Sequence, residues 1–286
     1  MKPFETLGKA QAPDGGRITL HAHDGEYYIK HNGRQLMSTI ATESELLLGD
    51  YGCRRIPKKA GARVLIGGLG LGFTLRRVLE LCGEDAEVDV AELLPEVVAW
   101  NRDLLGHVNG RLLEDPRVTV LVEDVFKVIR EARGDRAYDA ILLDTDHTPS
   151  SWVQASNVRL YARNGFSLVG KALKPGGVVA YWSAGHEPEF VQKLAGAGFK
   201  VTTYEAKTYP GAKRAAHRIY VGAPVVLEPG EEGGEAVGPK AAGGAGKGRP
   251  GFREKGRGKE LGRSGKGPKK GLGPGSKTAR RGPGRF

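Results

Sequence analysis

Apolar and polar positions alternate regularly from residue 63 onward, where short apolar runs are separated by amphipathic stretches with helical spacing. Short apolar runs without a polar face are typical of strands that are buried on both sides. The runs predict seven strands, at Val64–Ile66, Val88–Ala91, Val118–Val122, Tyr138–Leu143, Gly177–Trp182, Phe199–Tyr204 and His217–Val221. The stretches between them predict helices at Leu71–Leu81, Leu94–Leu105, Val125–Arg133, Asn157–Leu173 and Glu187–Ala197. This order predicts an α/β fold with a doubly wound, mostly parallel seven-stranded Rossmann-like sheet, whose last two strands pair antiparallel because no long helix separates them.

The N-terminal region has another pattern, typical of a small β-meander. Strands are predicted at Arg17–His23, Glu26–His31 and Arg34–Ser38, joined by Asp-Gly and Asn-Gly turns that favour tight hairpins. A helix with Thr42 as its cap follows, and Gly49 and Pro57 are expected to close it. Residues 1–60 are therefore expected to form a meander and a helix, and residues 61–227 the α/β domain.

Charge is distributed unevenly along the chain. Residues 240–286 hold 15 Lys and Arg against two Glu, so this segment carries a net charge of +13. Because the whole chain carries +11, residues 1–239 carry −2. The same segment holds 15 glycines and too few apolar residues to offset the entropy of ordering. Residues 228–286 are therefore predicted to be a disordered basic tail. Flexible cationic chains bind phosphate backbones, so weak binding of RNA or anionic surfaces through residues 240–286 is one hypothesis, and a purely solubilising tail is the other.

Other features narrow the setting in which the protein works. Cys53 and Cys82 have no metal-ligand spacing and are expected to be buried and reduced, so no metal site is predicted. The N-terminus lacks an apolar leader, and no run reaches the roughly 18 apolar residues that a membrane span needs. We expect a soluble cytoplasmic protein with no membrane partner, and a homodimer is left open.

A glycine cluster, Gly67-Gly68-Leu69-Gly70-Leu71-Gly72, joins the first predicted strand of the sheet to its helix. A strand, a tight glycine loop and a helix N-terminus form a cradle for a nucleotide-like ligand. Glu92, 20 residues after Gly72, suits a ribose diol, and Asp124 suits an adenine amine. The alternative is that both acids are solvated residues at strand ends. The predicted cofactor-binding residues are Gly67, Gly68, Gly70, Gly72, Glu92, Leu93, Asp124 and Val125.

The G-x-G-x-G spacing of Gly68, Gly70 and Gly72 resembles motif I of the class I S-adenosylmethionine-dependent transferases, which share the methyltransferase fold. Within that superfamily, residues 17–222 resemble the spermidine synthase (polyamine aminopropyltransferase) family. The resemblance is carried by the meander before the nucleotide fold and by Val64–Val78, Leu113–Val118 and Tyr138–Asp146. It implies S-adenosylmethionine or its decarboxylated form as co-substrate, and transfer of an aminopropyl or methyl group to a small amine acceptor.

The candidate chemistry lies in the loop Asp144-Thr145-Asp146-His147-Thr148-Pro149, whose first acid matches that of the family's Asp-x-x-Asp-Pro loop. Asp144 follows a predicted strand at the carboxyl edge of the sheet, where ligands of such folds bind. A carboxylate there can hold an acceptor ammonium and take its proton as a general base. Asp144, Asp146 and His147 are therefore the predicted catalytic residues, and Gln35 and Glu45 are the predicted substrate-binding residues.

Three features depart from the family pattern, the first being the loop after Asp144, in which the family's second Asp is shifted. Leu71 stands where the family's glycine loop carries an aspartate, and Glu43-Ser44-Glu45 replaces a Tyr-His-Glu triplet, of which only the final Glu remains. Two other functions therefore stay open beside the transferase. One is an S-adenosylmethionine-dependent methyltransferase that acts on nucleic acid or another acceptor, with the tail as its anchor. The other is a non-catalytic nucleotide-binding or RNA-associated protein.

Overall fold

The computed structural model describes residues 3–13, 15–56, 61–145, 149, 155–209 and 211–225. The predicted tail and the loop residues Asp146 and His147 lie outside these ranges, so what the sequence predicts for them stays a prediction. Within the described ranges, no helix combines the length and the apolar character needed to cross a bilayer.

The N-terminal sheet has four antiparallel strands in sequential order, β1 Glu5–Gln11, β2 Arg17–His23, β3 Glu26–His31 and β4 Arg34–Ser38. The last three strands confirm the predicted meander. The sequence pattern misses β1 because Leu7 is its only large apolar residue. Gly8 lets this strand lie directly on the indole ring of Trp100, since a Cβ at that position would be 2.3 Å from the indole Nε1.

The large sheet has seven strands in the order β10-β11-β9-β8-β5-β6-β7. The five strands from β9 to β7 are parallel, and β11 and β10 continue the sheet in antiparallel pairing. This arrangement confirms the predicted α/β fold with its antiparallel end. The strands are β5 Arg63–Gly67, β6 Glu87–Glu92, β7 Val118–Val122, β8 Tyr138–Leu143, β9 Leu173–Ser183, β10 Phe199–Ala206 and β11 His217–Pro224.

The helices follow the predicted order with changed ends. They are α1 Glu43–Cys53, α2 Phe73–Leu81, α3 Pro95–Asp103, α4 Gly106–Asn109, α5 Val125–Glu131, α6 Arg163–Ala172 and α7 Pro188–Gly196, with 3-10 turns at Leu112–Glu114, Gly134–Arg136 and Ala155–Tyr161. The predicted helix Asn157–Leu173 is therefore two elements, a 3-10 turn and α6. Thr42 occupies the cap position of α1, but its side chain makes no capping hydrogen bond.

Gly49 does not end α1, contrary to the sequence-based expectation. The helix continues to Cys53, and a Cβ at Gly49 would lie 2.8 Å from the Cβ of Arg77 on α2. The glycine is needed because the two helices pack closely at this point, so it marks a helix contact and not a helix end.

Helices cover both faces of the large sheet, and the side chains of its central strands alternate between two apolar clusters. In β5, Val64 and Ile66 belong to one cluster, whereas Leu65 belongs to the other. The first cluster includes residues of α1, α2, α3 and the N-terminal sheet, and the second includes residues of α5, α6 and α7. This alternation explains why the runs of the central strands are mostly apolar, since both faces of these strands are buried.

Two motifs that carry the family resemblance stabilise the fold. Arg117 pairs with Asp115, with 2.8 Å between Nη2 and Oδ2, and also donates to the carbonyl oxygen of Leu79 at the end of α2. The Tyr138 hydroxyl donates to Asp89 over 2.8 Å in the interior of the protein. These motifs therefore connect strands and helices at a distance from the carboxyl edge of the sheet.

Candidate active site

The loop after β5 turns through three glycines with positive φ, which are Gly68 at 92°, Gly70 at 52° and Gly72 at 86°. Space is as restrictive as the backbone angles. A Cβ on Gly68 would lie 2.4 Å from the backbone oxygen of Asp144, and a Cβ on Gly70 would lie 2.6 Å from Cε of Met37. The motif therefore uses glycine for both conformation and close approach, and Gly72 serves as the N-cap residue of α2.

Glu92, at the end of β6, holds this loop in place. Its Oε2 accepts from the backbone N–H of Leu69 and its Oε1 from that of Leu94, each over 2.9 Å. The carboxyl group is buried, and burial raises its pKa above the usual range, although the backbone N–H groups oppose this effect. A buried carboxylate at a strand end that faces a glycine loop is therefore already oriented for a ligand.

A cavity opens between the carboxyl edge of the large sheet and the N-terminal sheet. Seven of the predicted site residues line it, namely Gly68, Gly70, Glu92, Leu93, Asp124, Val125 and Asp144. The opposite wall consists of apolar residues of the N-terminal region, namely Ala12, Pro13, Ile18, Ile29, Leu36 and Met37. The N-terminal sheet thus contributes an apolar wall to the site, whereas the sequence indicates only Gln35 of this sheet as a site residue.

Four described predicted site residues do not line this cavity, and one of them, Glu45, is buried on α1. Gly67 is the last residue of β5, and Gly72 begins α2, so both flank the loop. Gln35 is exposed on β4, where it is paired with Lys30 of β3. The structure therefore places Gln35 outside the cavity, and its neighbour Leu36 lines the wall instead.

Asp124 lies at the cavity and also caps α5. One carboxylate oxygen accepts from the backbone N–H of Phe126 over 2.8 Å, and the other forms an ion pair with Nη2 of Arg159 at 2.6 Å. A carboxylate offers about four acceptor sites, so these two partners leave capacity for a ligand amine. Asp124 therefore both caps α5 and lines the cavity.

Asp144 directly follows β8 and belongs to a pair of acids with Glu45 on α1. The Thr74 hydroxyl lies between them, 3.3 Å from Oδ2 of Asp144 and 3.4 Å from the backbone oxygen of Glu45. Burial raises the pKa of Asp144 to about 6, while burial and the charge of Asp144 together raise the pKa of Glu45 to about 8. Each acid therefore makes it less favourable for the other to carry negative charge. No Lys, Arg or His is among the described residues that line the cavity at this point.

The cavity is lined by acids, two of which have basic partners outside the lining, Glu123 with Lys127 and Asp124 with Arg159. Its described lining includes four carboxylates, Glu92, Glu123, Asp124 and Asp144, and no Lys, Arg or His. In the same ranges, no group of three or more His, Cys, Asp and Glu side chains is arranged to hold a metal ion. A ligand with positive charge is the natural complement of such a cavity.

Glu45 of the acid pair has a further contact, through Ser44 to His217, that the sequence does not indicate. The Ser44 hydroxyl donates to Oε2 of Glu45 over 2.7 Å, and Nδ1 of His217 on β11 lies 2.9 Å from the same hydroxyl. Leu71, which departs from the family pattern, is buried in the apolar core and does not reach the cavity.

A doubly wound sheet with a glycine loop, a buried acid at the end of the second strand and an acid after the fourth strand defines a protein of the class I methyltransferase-like fold. Comparison with known proteins narrows this class. Residues 53–209, more than half of the chain, match the spermine/spermidine synthase domain. The chain belongs to this family.

Curated relatives include proteins with two different activities in their names. The chain is 32% identical over 158 residues to the polyamine aminopropyltransferase of Mycobacterium tuberculosis, a match that covers 50% of this chain and 28% of that protein. It is 36% identical over 123 residues to putrescine N-methyltransferase 2 of Nicotiana attenuata, which covers 43% of this chain and 30% of that protein. The chain therefore spans less than a third of the length of either relative.

Solved structures agree on the fold. A spermidine synthase in complex with the transition-state analogue AdoDATO gives a TM-score of 0.59 at 19% identity, with 78% of this chain and 73% of that chain covered. The spermidine synthase of Thermotoga maritima gives a TM-score of 0.56 at 18% identity, with the same 78% and 73% covered. At this identity the likeness establishes the architecture alone.

Proposed function

We propose that the chain transfers an aminopropyl group from decarboxylated S-adenosylmethionine to a small amine such as putrescine. The observation that carries the proposal is the charge of the cavity, whose described lining has four carboxylates and no cationic side chain. The sulfonium of the co-substrate and the ammonium of the acceptor are both cations. A cleft lined by one sign of charge concentrates ligands of the opposite sign.

The same charge favours the decarboxylated co-substrate over S-adenosylmethionine itself. The two molecules differ by one carboxylate on the chain that is attached to sulfur. In this cavity that carboxylate would face acids, with no described cationic side chain to pair with it. The decarboxylated form presents only an ammonium, which Asp144 and Glu45 can hold.

Glu92 and Asp124 are the proposed contacts of the nucleoside part. Glu92 accepts from the ribose hydroxyls, and Asp124 accepts from the adenine amine through the lone pairs that its cap and Arg159 leave open. Leu93 and Val125, which directly follow the two acids, line the cavity beside them. The N-terminal sheet would then cover the ligand from the opposite side.

The transfer itself is a displacement at carbon. Asp144 takes a proton from the acceptor ammonium, and the free amine nitrogen attacks the aminopropyl carbon that is bonded to sulfur. The carbon–sulfur bond breaks, its electron pair stays on sulfur, and neutral methylthioadenosine leaves, while the product is a secondary ammonium. The raised pKa of Asp144, about 6, brings this base closer to neutral pH, where general bases are most effective.

The test is to supply putrescine with each co-substrate and identify the nucleoside product. Aminopropyl transfer from the decarboxylated form releases methylthioadenosine, whereas methyl transfer from S-adenosylmethionine releases S-adenosylhomocysteine. We expect methylthioadenosine, and we expect its rate to fall in Asp144→Asn. Release of S-adenosylhomocysteine alone would overturn the proposal.

Methyl transfer to an amine is the second candidate. Two observations favour it, namely the similarity to putrescine N-methyltransferase 2 and the buried Leu71 in place of the expected acid. The same cavity and the same base would serve, because the acceptor is again an ammonium that must lose a proton before it attacks. The two candidates therefore differ in the co-substrate, and the product assay separates them.

A further inference from the structure

A line of hydrogen bonds leads from β11 to the acid pair. Nδ1 of His217 is 2.9 Å from Oγ of Ser44, and Oγ of Ser44 is 2.7 Å from Oε2 of Glu45. Ser44 has no exposed surface and Glu45 is 7% exposed, so the contacts lie inside the protein. The line ends next to Asp144, which interacts electrostatically with Glu45.

The chemistry of the three groups fixes the direction of the line. When Glu45 is ionised its carboxylate only accepts, so the single hydroxyl hydrogen of Ser44 points to Glu45. The serine oxygen is then free to accept, and Nδ1 of His217 must carry the proton that it donates. His217 therefore donates a hydrogen bond to Ser44, and Ser44 donates one to Glu45.

The His217 ring is held in place by packing. It meets the indole of Trp182 on the neighbouring strand β9 edge to face, with 4.8 Å between the ring centroids. Its position follows from the sheet, since β11 lies between β9 and β10 and α1 packs against β9 and β11. The imidazole therefore has a defined orientation toward Ser44.

We propose that His217 is a positioning residue of the acid pair, which acts through Ser44 to orient the Glu45 carboxyl group and to favour its ionised form beside Asp144. The proposal rests on the proposed amine transfer, in which the pair must hold an ammonium and accept a proton. Burial and the neighbouring Asp144 both favour the neutral form of Glu45. A hydrogen bond that is donated to the carboxylate favours the charged form and opposes them.

The simpler explanation is that His217 only packs against Trp182. Two variants separate the roles. His217→Phe keeps an aromatic ring against Trp182 and removes the donor to Ser44. His217→Asn loses the ring and keeps an amide donor close to the place of Nδ1. If packing is the whole role, His217→Asn is the impaired variant, and if positioning is the role, His217→Phe is.

The first measurement is the titration of Glu45 in the whole chain, followed by carbon NMR of labelled glutamate carboxyl groups. Among the described groups, Asp144 on β8 is the charged group that faces Glu45, with Ser44 and Thr74 as neutral partners. We expect the titration midpoint of Glu45 to rise in His217→Phe, because a bond to its ionised form is weakened, and to stay near the wild-type value in His217→Asn. An unchanged midpoint in His217→Phe would overturn the proposal.

The second measurement is the steady-state kinetics of the transfer. We expect His217→Phe to lower kcat by up to about tenfold, the size of one ordinary hydrogen bond, with little change in the KM of the co-substrate. We expect His217→Asn to retain most of the wild-type kcat. Loss of kcat in His217→Asn with a wild-type kcat in His217→Phe would assign His217 to packing alone and overturn the proposal. Should the wild-type chain turn over no co-substrate, the proposed function fails, and the titration still decides whether His217 supports Glu45.

Discussion

Replacement of Glu92 by alanine tests the centre of the proposed nucleoside site. Both oxygens of this buried carboxylate accept backbone N–H groups, from Leu69 and Leu94, over 2.9 Å each. Alanine leaves two amides without an acceptor, and each unsatisfied donor costs roughly 1–3 kcal/mol where it is buried. We therefore expect Glu92→Ala to lower the free energy of unfolding by about 2–6 kcal/mol.

The same substitution should weaken ligand binding more than its effect on the fold requires. A hydrogen bond to a charged acceptor contributes about 1.5–3 kcal/mol, so loss of the ribose contact should raise Kd about 10- to 150-fold. The assay is calorimetry with methylthioadenosine, which has the nucleoside but no group to transfer. It is combined with thermal unfolding of each variant without ligand.

Glu87→Gln is the matched control for this experiment. Glu87 begins the same strand that Glu92 ends, and its side chain is 72% exposed, so we expect neither stability nor affinity to change by much. The reasoning is wrong if Glu92→Ala unfolds and binds like the wild-type protein. Lost stability with unchanged affinity in the folded fraction would limit Glu92 to holding the glycine loop.

Three further predictions concern catalysis, stability and the tail. Asp144→Asn should lower turnover by about 100-fold or more, the usual contribution of a general base, while methylthioadenosine binding by calorimetry stays close to wild type. The raised pKa of Glu45, about 8, means that the folded state holds this proton, so stability from it is present at low pH and is lost as the pH rises through 8. Glu45→Gln should therefore melt higher relative to wild type at pH 9 than at pH 6, and Glu43→Gln, on the same helix turn, should show no such difference. Deletion of residues 240–286 changes the net charge from +11 to −2, and we expect RNA binding in a low-salt filter assay to disappear with it; equal RNA affinity of the shortened chain would exclude the tail as the anchor.

Most of the fold could be predicted because the first and last residues of an apolar run indicate where a buried strand begins and ends. β8 begins at Tyr138 and ends at Leu143, as the pattern predicts. When a strand is buried on both faces, its apolar run covers the whole strand, and the ends of the run are the ends of the strand. β1 lacks this signal, because its place depends on Trp100 and not on its own apolar residues. The helix ends were less predictable, since a glycine such as Gly49 can be required by a close helix contact, here with Arg77, and does not then end a helix.

Part of the candidate site was visible in the sequence for a similar reason. Glycines and acids at the ends of consecutive parallel strands must meet at one edge of the sheet, so Gly68, Glu92 and Asp144 share a cavity. His217 could not be found in this way, because 173 residues separate it from Ser44 and only the pairing of β11 brings it there. Ser44 departs from the family triplet, and only its contacts with Glu45 and His217 in the structure indicate a role for it.

The shared cavity also links the folding of the N-terminal sheet to ligand concentration. Because Ile29 and Met37 form one wall and the large sheet forms the other, a bound nucleoside stabilises only those states in which the N-terminal sheet is docked. At a ligand concentration of 100 times Kd this stabilisation is about 2.7 kcal/mol. Amide protons of β1 to β4 that exchange through undocking would then exchange about 100-fold more slowly. Ligand binding and docking of the four N-terminal strands should therefore stabilise each other by the same free energy.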